Sequence, residues 1–170
     1  MLDTLASIGR SCWYWLALLL VGLSFEAVAL YYQYGLDEMP CVLCIQMRLW
    51  VLALIVVALL VLVQKGLNLA LLPGHLLTVG IAAGMLERAW KLLGTERGFA
   101  EGECGFSLGL PAWFTPDVWF PKLFQVQTSC GYTPELLFGV TMAEGLIVFS
   151  AGFLVVSVVM VAAAIARPRQ

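Results

Sequence analysis

The chain reads as an all-α membrane protein, a four-helix transmembrane bundle carrying two outward-facing cysteine-bearing loops. Three observations predict it. Of 170 residues, 62% are hydrophobic and only 12% charged, with a mean hydropathy of +0.95. A water-soluble domain of this size carries about a quarter charged residues, so the chain has too little polar surface to face water on every side. Four apolar runs approach or exceed the roughly 20 residues needed to cross a bilayer. Finally, four of the five cysteines fall in two connections on one side of those runs.

The first helix is expected over about Trp13–Tyr32, ending in an aromatic pair suited to the headgroup boundary. The second spans about Cys44–Val63 and stops at the polar Gln64-Lys65-Gly66. The third, about Leu69–Leu93, is less uniform: Pro73, Gly74 and His75 fall near its start, and Glu87, Arg88 and Lys91 near its end. The fourth, about Leu136–Ile165, is closed by Arg167-Pro168-Arg169. This makes one integral membrane domain over 1–170, with outer loops at about 33–43 and 94–135. A small-x-small triplet, Ala27-Val28-Ala29, resembles a signal-peptidase site. The apolar run is long for a signal segment and Glu26 sits beside the cut, so the helix is expected to be retained.

Lys and Arg set the orientation. Arg10, Lys65, Arg167 and Arg169 flank one side. The 33–43 loop has Asp37 and Glu38 but no cation, and the 94–135 loop has Arg97 and Lys122 against five acids. Both termini are therefore expected in the cytoplasm and both cysteine loops outside. A net charge of −2 provides no basic patch, which argues against nucleic acid as a partner.

Cys12 reads as a small buried hydrophobe at the inner end of the first helix. Cys41, Cys44, Cys104 and Cys130 lie outside, where an oxidising compartment favours disulfides. Three chemistries suit them. Two structural staples are one; closing the Cys104 to Cys130 loop would contribute roughly 3–4 kcal/mol. An all-cysteine zinc cage is another, although Cys104 and Cys130 do not form the second Cys-x-x-Cys knuckle usual there. Redox catalysis is the third. Cys-x-x-Cys closes too small a ring to be a useful entropic staple but cycles readily between dithiol and disulfide.

The stretch "MPCVLCIQMRLW" (39–50) favours redox work. Cys44 falls at a helix start, where peptide dipoles and unpaired N–H groups favour an anion. Arg48, one turn further, shares its face. It could stabilise a thiolate and polarise a bound carbonyl oxygen, or instead snorkel to the headgroups.

"FEAVALYYQYGLDEMPCVLCIQMR" (25–48) resembles the DsbB family of bacterial inner-membrane disulfide-forming enzymes, and length, spans, orientation and the Cys104/Cys130 pair agree. The chain departs from the family pattern at "MAEG" (142–145) and "GECG" (102–105). The resemblance implies a protein-disulfide oxidoreductase that reoxidises a periplasmic DsbA-type thioredoxin-fold partner and passes electrons to a membrane quinone, ubiquinone or menaquinone. Cys104 would be attacked by the partner thiolate, Cys130 would be its pair, and exchange would carry electrons to Cys41. Cys44 would lie nearest the quinone and Arg48 would help hold its headgroup, with no metal involved. A vitamin-K-type quinone reductase with a dedicated partner would use the same site.

Magnitudes require loop disulfides that are strained or exposed, or that are drained by a strong acceptor. A structural disulfide below about −300 mV would oxidise a partner near about −120 mV uphill by roughly 8 kcal/mol.

The long loop carries "PAWFTPDVWFPKLF" (111–124), five aromatics between prolines. Thr115 is expected to cap a short helix with Pro116 at its first position. Its apolar side would lie on the membrane and keep Cys104 and Cys130 on a mobile tether. Glu26 and Glu144, placed at membrane depth, are expected either to pair with Arg88 or to help deliver protons to the reduced quinone.

Overall fold

The computed structural model describes residues 2–64, 71–99, 105, 107–131, 133–137 and 139–166. Cys104, Lys65, Arg167 and Arg169 lie outside them. Four long helices dominate: α2 (Cys12–Gly35), α3 (Val42–Gln64), α4 (Leu71–Glu96) and α7 (Met142–Ala166). They are preceded by α1 (Leu2–Arg10). Two one-turn helices, α5 (Pro116–Trp119) and α6 (Pro121–Phe124), and a hairpin of β1 (Glu135–Leu137) with β2 (Val140–Thr141) lie between α4 and α7.

Three of the long helices, α2, α3 and α7, are long and apolar enough to cross a membrane. The third expected span, α4, forms a 26-residue helix but falls outside that group. Its polar Pro73-Gly74-His75 start and its Glu87, Arg88 and Lys91 dilute the apolar run. Pro73 is tolerated because it sits in the first turn, where its missing N–H has no intrahelical partner to lose.

Contacts run α2 to α3, α3 to α4, and most extensively α4 to α7. The core between them holds Trp15, Leu54, Ala58, Ala82, Met85 and Ala89, each at most 1% exposed. Small residues set the spacing, as lipid supplies no hydrophobic drive between helices and close packing must do the work. A Cβ on Gly22 would come within 2.7 Å of Ile55, and one on Gly84 within 2.5 Å of the Trp50 ring. The opposite faces carry exposed Val63, Val148 and Val155, a surface suited to lipid.

Several expectations are corrected. The N-terminal tail is helical: α1 packs on α7 with Ala6 buried, and Trp15 Nε1 donates to the Gly9 carbonyl at 3.0 Å. Cys12 is exposed rather than buried, because it opens α2 at the corner after Ser11, before the packed face begins at Trp15. Ser11 caps that helix, its hydroxyl accepting from Trp13 N. The fourth helix starts at Met142 instead of Leu136. Ahead of it, β1 and β2 pair antiparallel, with Gly139 at φ 78°, a conformation that glycine adopts without Cβ penalty.

Candidate functional site

The site is built where α3 begins. Cys41 immediately precedes the helix, and its carbonyl accepts the first helical bond from Ile45 N at 3.0 Å. Its sulfur accepts from Cys44 N at 3.4 Å, the position a serine or threonine oxygen takes in an N-cap. The Cys41 thiol donates to Cys44 Sγ at 2.9 Å. The Cys-x-x-Cys thus caps its own helix.

The outer loop is docked onto this cap. Gln127 N donates to the Pro40 carbonyl at 3.0 Å, and Thr128 forms a parallel bridge with Cys41. This brings Cys130 into hydrogen-bond contact with Cys41. Cys41 (1% exposed) and Cys130 (9%) are buried in one cluster with Leu43, Ile45, Leu108 and Phe124. Cys130 is therefore seated against the first cysteine pair. The hydrogen bond from Cys130 pulls the Cys41 thiol down. The bond donated to Cys44 and burial outweigh it, and Cys41 is pushed up from its ordinary 9.0 to about 12. Cys41 stays a protonated thiol when reduced.

Arg48, one turn inside the membrane-facing helix, does not snorkel; it is 7% exposed. Its Nε donates to Glu26 Oε2 at 3.2 Å, and its Nη1 donates to Gln33 Oε1 at 2.9 Å and to the Leu123 carbonyl at 2.8 Å. The Phe124 ring lies 5.4 Å from the guanidinium carbon, a cation–π distance. Gln33 Nε2 in turn donates to the Lys122 carbonyl at 3.1 Å, and Tyr34 Oη donates to the same carbonyl. The arginine thus ties α2, α3 and α6 together.

A cleft of about 240 Å³ opens beside these groups, bounded by Cys44 and Arg48 and walled by Phe25, Val28, Met47 and Leu146. Glu26 also lines it, and Glu26 Oε1 is buried with no hydrogen-bond partner among the described residues.

Of the residues singled out from sequence, Cys41, Cys44, Cys130 and Arg48 come together, and Cys104 lies outside the described residues. The expected pairing of Glu26 or Glu144 with Arg88 is not found. Glu26 is taken by Arg48, and Glu144 binds Arg97 from the end of α4. Arg88 instead reaches Gln46 Oε1 at 2.9 Å and Glu87 at 3.6 Å. The reason is geometric: Glu26 lies on the α2 face turned to α3, and Glu144 in the first turn of α7 beside the end of α4. Thr115 occupies the N-cap position of α5, but its hydroxyl makes no capping bond; its carbonyl accepts from Val118 N and Trp119 N. Gln33 and Gln46 were not anticipated. The signal was available, since Gln33 lies seven residues from Glu26 on one helix face and Gln46 is a lone amide inside an apolar span.

Comparison with known proteins places this geometry. Residues 11–160 match the family model described as disulfide bond formation protein DsbB. The chain is 34% identical over 167 residues to disulfide bond formation protein B 2 of Pseudomonas aeruginosa, with 92% of each chain covered. It is 30% identical over 165 residues to disulfide bond formation protein B of Shewanella loihica, covering 96% of each. It is 29% identical over 177 residues to the Haemophilus influenzae protein of the same name, covering 100% of this chain and 97% of the other. With a dithiol capping its own membrane helix and a third cysteine docked upon it, this chain belongs to the DsbB family.

Proposed function

We propose that the protein is a quinone-dependent protein-disulfide oxidoreductase of the bacterial inner membrane, reoxidising a periplasmic DsbA-type thioredoxin-fold partner. One observation carries the reading: Cys130, from the long outer loop, meets Cys41 while Cys44 opens into an apolar cleft beside Arg48. A path for electron pairs thus leads from a water-side sulfur to a lipid-side one.

In this reading the partner's thiolate attacks Cys104 of a Cys104–Cys130 disulfide. The mixed disulfide resolves to oxidised partner and a reduced loop pair. Cys130, as thiolate, then attacks Cys41 of a Cys41–Cys44 disulfide, and Cys44 leaves as thiolate. Cys104, as thiolate, then attacks Cys130 of the Cys41–Cys130 disulfide; that bond breaks, Cys41 leaves and takes a proton, and two electrons now reside on Cys41 and Cys44. Once reduced, Cys41 keeps its proton and donates to Cys44, which is left as the acceptor of the hydrogen bond between them.

The cleft fits a quinone headgroup: its walls are apolar, and cationic Arg48 and the unpartnered Glu26 Oε1 supply polar groups at its edge. A bound quinone would accept two electrons and two protons. Cys44 and Arg48 would hold it, and Phe25, Met47 and Leu146 would exclude water. Four spans, α4 included, with both termini cytoplasmic and the cysteine loops periplasmic, complete the proposal. The exposed Trp113, Val118, Trp119 and Phe120 suit a membrane-surface position for α5.

Thiol counting tests the reading. Reduced DsbA-type partner should add thiols to the oxidised protein and excess ubiquinone or menaquinone should remove them. Serine at Cys41 or Cys44 should abolish catalytic partner oxidation. Partner oxidation that survives either serine would end the proposal.

A further inference from the structure

Two arginine–glutamine pairs repeat the same arrangement on opposite arms of the outer loop. On one arm, Arg48 donates to Gln33 Oε1 and Gln33 Nε2 donates to the Lys122 carbonyl. On the other, Arg88 Nη1 donates to Gln46 Oε1 at 2.9 Å, and Gln46 Nε2 donates to the Leu108 carbonyl at 2.8 Å. Arginine has donors only, so the amide oxygen must face it and the amide N–H groups must face the loop. Each arginine therefore orients a glutamine, and each glutamine holds one loop carbonyl.

The second pair lies off the cleft. Gln46 is 8% exposed, on the side of α3 turned to α4, and is absent from the cleft wall. What it holds is consequential. Leu108 is 4% exposed and packs in the same cluster as Cys41, Cys130 and Phe124. Leu108 stands four residues after Cys104 and Lys122 eight before Cys130, so the two clamps grip the loop inside its cysteine pair. Apolar packing alone would leave the Leu108 carbonyl buried without a partner, which would favour lifting the arm into water.

We propose that Gln46, oriented by Arg88, is a positioning residue that holds the Leu108 arm down over Cys41 and so sets the rate of sulfur exchange between Cys130 and Cys41. This rests on the relay proposed above. The exchange moves no electrons out of the protein. The Cys130 thiolate attacks the Cys41 sulfur, the Cys41–Cys44 bond breaks, the Cys41–Cys130 bond forms, and Cys44 leaves as thiolate.

The full chain carrying Cys104→Ser, oxidised by excess soluble quinone and freed of it, isolates that step because the loop's other cysteine is removed. Formation of the Cys41–Cys130 bond is followed by acid quench, alkylation and mass mapping. Gln46→Leu should slow it about tenfold, the worth of one buried hydrogen bond. Gln46→Glu is the decisive variant. It keeps an acceptor for Arg88 and hence the helix–helix contact, but cannot donate to the Leu108 carbonyl; it should slow exchange at least as much. If Gln46 served only to satisfy Arg88, the Glu variant would exchange within twofold of the parent, and the proposal would be overturned. Should Gln46→Leu fail to fold, the Glu variant still decides. A parent that never forms the Cys41–Cys130 bond would instead overturn the relay, and the clamp with it.

Discussion

Arg48 on α3 and Glu26 on α2 form an ion pair at 3.2 Å with side chains 8% and 12% exposed, one turn inside the helix that Cys44 opens. The cation that the sequence places beside the dithiol is thus half of a buried pair, and three of its N–H donors are committed to protein acceptors. It therefore acts as a fixed joint as well as a charge. The same guanidinium edges the cleft and holds the Leu123 carbonyl, so cleft shape and loop docking are coupled through one side chain.

Breaking this pair from the acidic side should be costly. Removing one partner of a buried pair leaves an uncompensated charge, and typical penalties are about 3–5 kcal/mol. Glu26→Leu should lower the thermal unfolding temperature of the detergent-solubilised protein sharply. Glu26→Gln, which keeps an oxygen for Arg48 Nε, should lower it much less. Equal melting of the Leu variant and the parent would mean that water or lipid headgroups compensate Arg48.

Glu26 and Glu144 should separate in turnover. Glu26 lines the cleft with Oε1 unpartnered, so it can hold a proton where a reduced acceptor needs one. Glu144 is bound to Arg97 and its other oxygen accepts from Thr141 N at 3.2 Å, outside the cleft wall. Steady-state quinone reduction should fall about a hundredfold in Glu26→Gln, the low end for loss of a positioned acid, and stay within twofold in Glu144→Gln. Unchanged turnover in Glu26→Gln would remove the proton role.

Cys41 gives the reduced protein a pH signature. Its thiol is raised from 9.0 to about 12, with the Cys130 hydrogen bond opposing and the Cys44 bond and burial prevailing. The folded state then binds the proton more tightly than the unfolded chain. The associated stability is complete below about pH 9 and is lost as pH rises towards 12. Melting temperatures of the reduced protein should decline over that window. The decline should be smaller in Cys41→Ser and in protein with Cys41 joined to Cys44, which lack this ionisable thiol. A flat profile for the reduced form would show that Cys41 is not held as described.

Much of this site was legible in the chain because its chemistry is local. Cys41, Cys44 and Arg48 lie within eight residues on a helix start, so their proximity follows from helix geometry alone. Cys130 was legible as a partner only through family resemblance, since a contact spanning 89 residues depends on how Gln127 and Thr128 align beside Pro40. The partners of Glu26 and Arg88 were misassigned for a related reason. Helix periodicity says which residues share a face of one helix, but not how two helices rotate about each other. The α1 helix was missed because its nine residues are too short to span a bilayer and are held by packing on the side of α7.

Rotation about those helix axes is itself testable at Gly84. The Trp50 ring of α3 packs on α4 there, and a Cβ added at Gly84 would lie 2.5 and 2.6 Å from two atoms of that ring. An indole is broad and stiff, so relief requires the ring to swing or the helices to part. Overpacking of this kind costs about 1–3 kcal/mol. Against it stands the helix propensity gained by replacing a mid-helix glycine, about 1 kcal/mol. Gly84→Ala should therefore lower the unfolding temperature, whereas Gly80→Ala on the same helix, whose Cβ meets nothing within 4 Å, should hold or raise it. Since α4 carries Arg88 one turn beyond Gly84, a parted interface should also loosen the Arg88–Gln46 bond. Mass-resolved hydrogen exchange around Leu108 should then quicken in Gly84→Ala and remain unchanged in Gly80→Ala. The reverse order of melting temperatures would mean that α3 and α4 do not meet at Trp50 and Gly84.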